Sequence, residues 1–159
     1  MPTPGFILAL REKIGHAELW LPGATAVVRR EGTDGPEVLL VRRADTGEWT
    51  PTGGIVEPGE DPAAAARRET EEEAGVVITV DRLASVGAAA PHTFPNGDRV
   101  VVLDHTFACS WVSGEAHVAD DESVEVVWFP VDGLPAMAPR FRERVGAALA
   151  DEVATRFVS

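Results

Sequence analysis

A chain of 159 residues is long enough for one hydrophobic core and short for two, and its 45% hydrophobic content is ordinary for a soluble globular domain. Lys and Arg number 14 against 26 Asp and Glu, a formal charge of −12 that speaks against polymeric nucleic acid as a partner. A single cysteine, Cys109, excludes an intramolecular disulfide and fits a reducing cytoplasm, and no apolar run reaches the ~18 residues of a membrane span.

In chain order, the opening MPTPGFILALREKIG has a short apolar stretch with no positive region before it, so no signal peptide is expected. Within it, Phe6, Ile7, Leu10 and Ile14 fall at helical spacing, predicting a short helix over Phe6–Ile14. Trp20–Arg30 reads as a strand, Glu31–Pro36 (EGTDGP) as a turn and Glu37–Arg43 as the next strand, together a hairpin. Ala44–Gly54 reads as a loop containing Trp49. Val76–Val80 and Leu83–Ala90 read as two strands, and Pro91–Asp98 as a turn-rich loop in which Asn96-Gly97 signals a hairpin. Arg99–Val112 is a long strand pattern, Ser113–Glu122 an acidic loop, Val124–Phe129 the last strand and Pro139–Phe157 an amphipathic helix. Strands before and after a helix, with another helix at the end, describe an α/β domain with a mixed sheet, expected as one unit over 1–159. Cys109, in an apolar-alternating run, reads as a small buried hydrophobe.

The segment Gly54–Val76, GIVEPGEDPAAAARRETEEEAGV, carries the chemistry. Pro58-Gly59 is a turn dipeptide, Asp61 suits an N-cap and Pro62 the first helical position. Four alanines and RRETEEEA favour a helix, and Gly75 suits a left-handed stop. On that helix Ala63, Ala66, Thr70 and Ala74 form a small-residue stripe for packing on a sheet. Glu69, Glu72 and Glu73 share an adjoining face at i, i+3 and i+4, and Glu71 points away. Such carboxylates repel one another, and a hard divalent cation that takes oxygen ligands reverses the sign.

The positions Gly54, Glu60, Arg68-Glu69, Glu71-Glu72-Glu73, Gly75 and Val76, at this spacing, resemble the Nudix box of hydrolases that cleave a nucleoside diphosphate linked to another group. Thr70 departs from it, standing where the family usually has an aliphatic residue. The resemblance implies an α/β/α sandwich, with the box helix against the sheet and substrate in a cleft beside it. It implies Glu69, Glu72 and Glu73 as Mg²⁺ or Mn²⁺ ligands, helped by the backbone carbonyl of Gly53, with Arg68 orienting the glutamates and Glu60 its expected partner. Glu122, in the acidic loop Asp120-Asp121-Glu122 before the strand with Trp128, corresponds to the further carboxylate that many Nudix enzymes recruit as base or ligand; Asp121 is next if the loop register differs.

Outside the box, Trp49 resembles the aromatic that often precedes the family's glycine pair, and core packing is the simpler reading of it. Phe94 and Trp111 are candidates for base stacking, against packing or hairpin surface, and His92 for a polar substrate contact, against a solvated loop histidine. Of Arg29, Arg30, Arg42 and Arg43, one is expected to reach a phosphate, with Arg42 the choice. The function implied is Mg²⁺-dependent cleavage of a nucleoside triphosphate, as in MutT-type enzymes, or of a nucleotide sugar such as ADP-ribose, giving a nucleoside monophosphate. The rival is a non-catalytic nucleotide-binding regulatory module, which usually loses box carboxylates that this chain keeps. A homodimer is implied only by the habit of relatives.

Overall fold

A computed structural model describes residues 3–157; Met1, Pro2, Val158 and Ser159 of the expected 1–159 domain lie outside the described residues. After helix α1 (Gly5–Ile14), strand β1 (Leu19–Gly32) turns back into β2 (Gly35–Arg43) as the EGTDGP turn predicts, with Gly32 opposite Gly35 and Arg29 opposite Val38. β3 (Trp49–Thr50) pairs with the end of β2, and β4 (Thr52–Ile55) with the first half of β1. Helix α2 (Pro62–Ala74) follows, then β5 (Val77–Ala88), β6 (His92–Thr93), β7 (Arg99–Ser113), β8 (Ser123–Pro130), α3 (Pro139–Leu149) and β9 (Arg156–Phe157). β1 runs parallel to β7 and antiparallel to β2 and β4, while β5 is antiparallel to β7 and β8 to β2, so the sheet is mixed.

Alternation along the strands builds two cores. Ala24, Ala26, Val28, Leu39 and Val41 face α2, where Ala65, Ala66 and Ala74 cover them. Val27, Val38 and Leu40 point to the opposite face, covered by Val145, Ala147 and Ala148 of α3. The expected helix–sheet–helix sandwich is therefore present. Small residues on α2 let it sit close to the sheet, and wholly buried Leu39 and Leu40 each contribute about 2 kcal/mol of apolar burial. Thr70 is fully buried, and its hydroxyl is satisfied twice, by the Ala66 carbonyl and by Thr52 Oγ1, each at 2.8 Å. The threonine thus fills an aliphatic position without orphaning a polar atom, and it ties α2 to β4.

Several sequence expectations need correction. Ala44–Gly54 is not all loop, because β3 and the start of β4 lie within it. The two strands expected between Val76 and Ala90 are one, β5, whose register against β7 shifts at Val77/Ile78, Val80/Arg82 and Leu83/Ser85. Those irregularities carry the ladder across Asp81-Arg82, the gap between the two expected strands. α3 ends at Leu149 rather than Phe157, and β8 is not the last strand, since β9 pairs parallel with β5. Asp61 does occupy the N-cap of α2 and Pro62 the first turn, although the Asp61 side chain makes no capping hydrogen bond.

Candidate active site

The α2 helix presents its carboxylates as the 3.6-residue period requires. Glu69 and Glu73 are buried, Glu72 is half exposed, and Glu71 points outward. Gly75 ends the helix in the left-handed region at φ 68°. Arg68 organises the face. Its Nε and Nη2 donate to the two oxygens of Glu60, both at 2.9 Å, its Nη1 donates to Glu69 at 2.8 Å and Glu72 at 3.2 Å, and Nη2 also reaches the Ile55 carbonyl at 3.3 Å. One guanidinium therefore joins the box loop to the box helix, and its fork matches the Glu60 carboxylate in the bidentate manner. Glu60 in turn accepts from the Glu57 amide at 3.0 Å.

The glycine pair backs onto the same carboxylates. The Gly53 amide donates to Glu73 Oε1 at 3.2 Å. A Cβ on Gly54 would displace the Glu69 carboxyl group, and one on Gly53 would collide with the backbone of Ala24 in β1, so the close approach there requires glycine. Burial pushes the Glu69 carboxyl up to about 7, against the lowering contact with Arg68, while Glu72 and Glu122 add to the rise. Burial also lifts Glu73 well above the ordinary carboxylate range, opposed by the Gly53 amide and reinforced by Glu69, Asp120 and Glu122. The Arg68 pairing holds Glu60 below its usual value.

Among the described residues, no three His, Cys, Asp or Glu side chains form a ready-made metal centre. Arg68 Nη1 bridges Glu69 and Glu72, as a cation would. The side-chain donors are all carboxylate oxygens, with Glu72 adding to the proton affinity of Glu69 and Glu69 to that of Glu73, which suits a hard divalent ion rather than a soft one.

Glu122 falls in the field of both Glu69 and Glu73, together with Asp120 in the case of Glu73. The loop is fastened to the end of β2, where the Ala44 amide donates to the Glu122 carbonyl at 2.7 Å, and the Glu122 amide donates to Asp120 Oδ1 at 3.1 Å. The other sequence candidates separate. Trp49 packs edge-on against Phe129, 4.9 Å between ring centroids, on the α3 side of the sheet. Arg42 pairs with Glu125 at 2.5 Å, Arg29 with Glu31 and Arg30 with Glu37, the last also lying over the Trp128 ring. Trp111 donates its indole N–H to the Gly114 carbonyl. Cys109 is buried, and burial pushes its thiol up to about 12.

A cavity of about 380 Å³ lies against Gly53 and Gly54. Arg43, held by Asp45 through two 2.8 Å bonds, lines it, as do His92 and Phe94, whose rings meet edge-on at 4.6 Å. Arg140, Phe141 and Arg144 of α3 line it too, and sequence reasoning passed over them. In an amphipathic helix, arginines look like a solvated face; spacing carried no signal that these two meet a cavity across the sheet.

The "NUDIX domain" family description matches residues 20–149. A MutT-like protein of Streptomyces ambofaciens is 35% identical over 109 residues, 69% of this chain and 62% of that protein. The NAD-capped RNA hydrolase NudC of Stutzerimonas stutzeri (strain A1501) is 34% identical over 111 residues, 68% of this chain and 37% of that one. The chain thus spans less than two thirds of the length of either relative. The crystal structure of MutT NUDIX hydrolase from Burkholderia pseudomallei superposes with a TM-score of 0.56 at 28% identity, covering 81% of this chain and 98% of that one. The matched span takes in the sheet apart from β9, α2 with its Arg68-centred carboxylates, and α3, and the chain belongs to the Nudix domain family.

Proposed function

We propose that this protein is a divalent-metal-dependent hydrolase that cleaves the diphosphate linkage of a nucleoside diphosphate derivative and releases a nucleoside monophosphate. The observation that carries the reading is the pair of buried carboxylates, Glu69 and Glu73, which back onto Gly53 and Gly54 at the wall of the 380 Å³ cavity. Glu69, Glu72 and Glu73, with the Gly53 carbonyl, would hold Mg²⁺ or Mn²⁺. When bound, such a cation offsets the negative charge of the phosphate oxygens.

The rest is the work of this chain's own groups. Arg68 holds Glu69 and Glu72 in place through charge-assisted bonds. The glycine pair offers a wall without side chains, along which a diphosphate can lie. Glu122 takes the proton of the attacking water as its oxygen bonds to phosphorus, and the bridging P–O bond breaks with its electron pair going to the leaving phosphate. Phosphoryl transfer asks mainly for positioning and charge compensation, which this arrangement supports.

Nucleoside triphosphates and nucleotide sugars such as ADP-ribose are the two substrate classes, and the similarity to a MutT-like protein favours the first. A net charge of −12 disfavours a long RNA arm, although one relative is a hydrolase of NAD-capped RNA. The test is chromatographic product identification over a panel of nucleoside triphosphates, ADP-ribose, NAD and a NAD-capped oligonucleotide, each with Mg²⁺ and with chelator. Monophosphate release that needs the metal supports the reading. Tight binding with no turnover of any compound would leave a regulatory nucleotide-binding module instead.

A further inference from the structure

α3 carries two arginines one turn apart, Arg140 and Arg144. Both line the 380 Å³ cavity that reaches the glycine pair, and both line a second cavity of about 630 Å³ beside the end of β5. The two cavities share Ala89, Ala90 and Asp104 with the arginines, so they meet at this pair. The Arg140 and Arg144 guanidinium carbons lie 4.4 Å and 5.5 Å from the Phe141 ring centroid. Like charges at i, i+4 repel, and the Arg144 side chain is only 17% exposed, so water screens it poorly.

The two side chains leave most of their hydrogen-bonding capacity unspent at the cavity. A guanidinium has five N–H donors. Arg68 spends its donors on three carboxylates and a carbonyl, and Arg43 holds Asp45 in a fork. Arg144 makes one hydrogen bond among the described residues, from Nη1 to Thr25 Oγ1 at 3.2 Å, with Asp104 at 3.3 Å from Nε. Asp104 is already occupied by the hydroxyls of Thr25 and Thr106, at 2.7 and 2.6 Å. Arg140 makes one as well, a 3.3 Å bond to Glu48. Most donors of the pair therefore have no protein acceptor among the described residues. In a chain of charge −12, this under-satisfied cationic pair beside a cavity fits an anion.

We propose that Arg140 and Arg144 form an anion subsite for the phosphate of the substrate that is not attacked by water. The assignment of an attacked and an unattacked phosphate rests on the hydrolase reading; the capacity to bind a phosphate anion does not. The subsite selects compounds with two or more linked phosphates. The cavity volume suits a nucleotide-sized ligand.

The test is isothermal titration of the whole protein with inorganic pyrophosphate in the presence of chelator, so that no metal takes part. Wild type binds saturably, and affinity falls as salt rises. Arg140→Ala, at an exposed position, weakens binding about tenfold, as loss of a charge-assisted bond does. Arg144→Lys, which keeps charge beside Asp104 but loses the fork, weakens it likewise while circular dichroism and Tm report a folded protein. Arg142→Ala, an exposed arginine of the same helix that lines neither cavity, leaves binding within about twofold. No saturable binding by wild type, no loss in Arg140→Ala, or an equal loss in Arg142→Ala would each overturn the subsite. Metal-dependent turnover with arginine-independent pyrophosphate binding removes the subsite and leaves the hydrolase. Arginine-dependent binding in a protein without turnover does the reverse.

Discussion

Arg68 is the junction between the box loop and the box helix, and replacing it by Gln at constant helix propensity tests that role energetically. Arg68→Gln removes the two bonds to Glu60 and the contacts to Glu69, Glu72 and Ile55. Breaking a fully buried pair costs ~3–5 kcal/mol. Here the Arg68 side chain is 26% exposed and that of Glu60 18%, and solvent screening brings the expected cost to about 2–3 kcal/mol at pH 8. Glu69 is 4% exposed and takes the larger share, since its charge is left buried without compensation. In a Glu69→Gln background the same change should cost only about 1 kcal/mol, the part owed to Glu60. The coupling, about 1–2 kcal/mol, is read from urea denaturation of wild type, both single variants and the double variant in chelator at pH 8. Additivity within about 0.5 kcal/mol would refute the idea that Arg68 compensates Glu69.

Further outcomes follow from the same geometry. Glu122→Gln should lower kcat by about 10² with a small change in KM, since a base acts in the transition state; loss in Asp121→Asn with Glu122→Gln unaffected would move the role to Asp121. In chelated protein, Glu69 has a folded value near 7, above its unfolded value, so it favours the fold fully below about pH 4.5 and loses that contribution as pH rises through 7. Metal-free stability should therefore drop by about 2.5 kcal/mol between pH 5 and 8 through Glu69, beside the loss that the raised Glu73 adds in the same direction, and Glu69→Gln should make the slope read by denaturant titration shallower by its own share. Cys109, buried with its thiol near 12, should resist a thiol reagent at pH 8 until the protein unfolds; fast labelling of folded protein would contradict its burial.

The box was legible because its instructions are local. Turn, N-cap position, first-turn proline and left-handed glycine lie within one short segment, and Arg68 meets Glu60 as the family resemblance implied. Thr70 belongs to the small-residue stripe predicted to pack on the sheet, and its hydroxyl finds Thr52, a partner across the chain that no local pattern names. β3 and β4 escaped notice because two residues, or a TGGI run, carry no alternation. β5 was split at Asp81-Arg82, where a long partner strand and bulges carry the ladder through polar residues. Arg140 and Arg144 needed the tertiary crossing of α3 over β1 and β7 before their placement meant anything.

The decisive comparison is turnover of the best substrate in the panel by wild type and Glu73→Gln at saturating Mg²⁺, with a chelated wild-type control. Glu73 is buried, held by the Gly53 amide and surrounded by Glu69, Asp120 and Glu122, so neutralising it removes a cation ligand while a glutamine keeps its shape. A fall of about 10² or more in Glu73→Gln, in a protein that still unfolds cooperatively, together with loss of turnover in chelator, is the predicted result. Wild-type turnover in Glu73→Gln, or full activity in chelator, would contradict it.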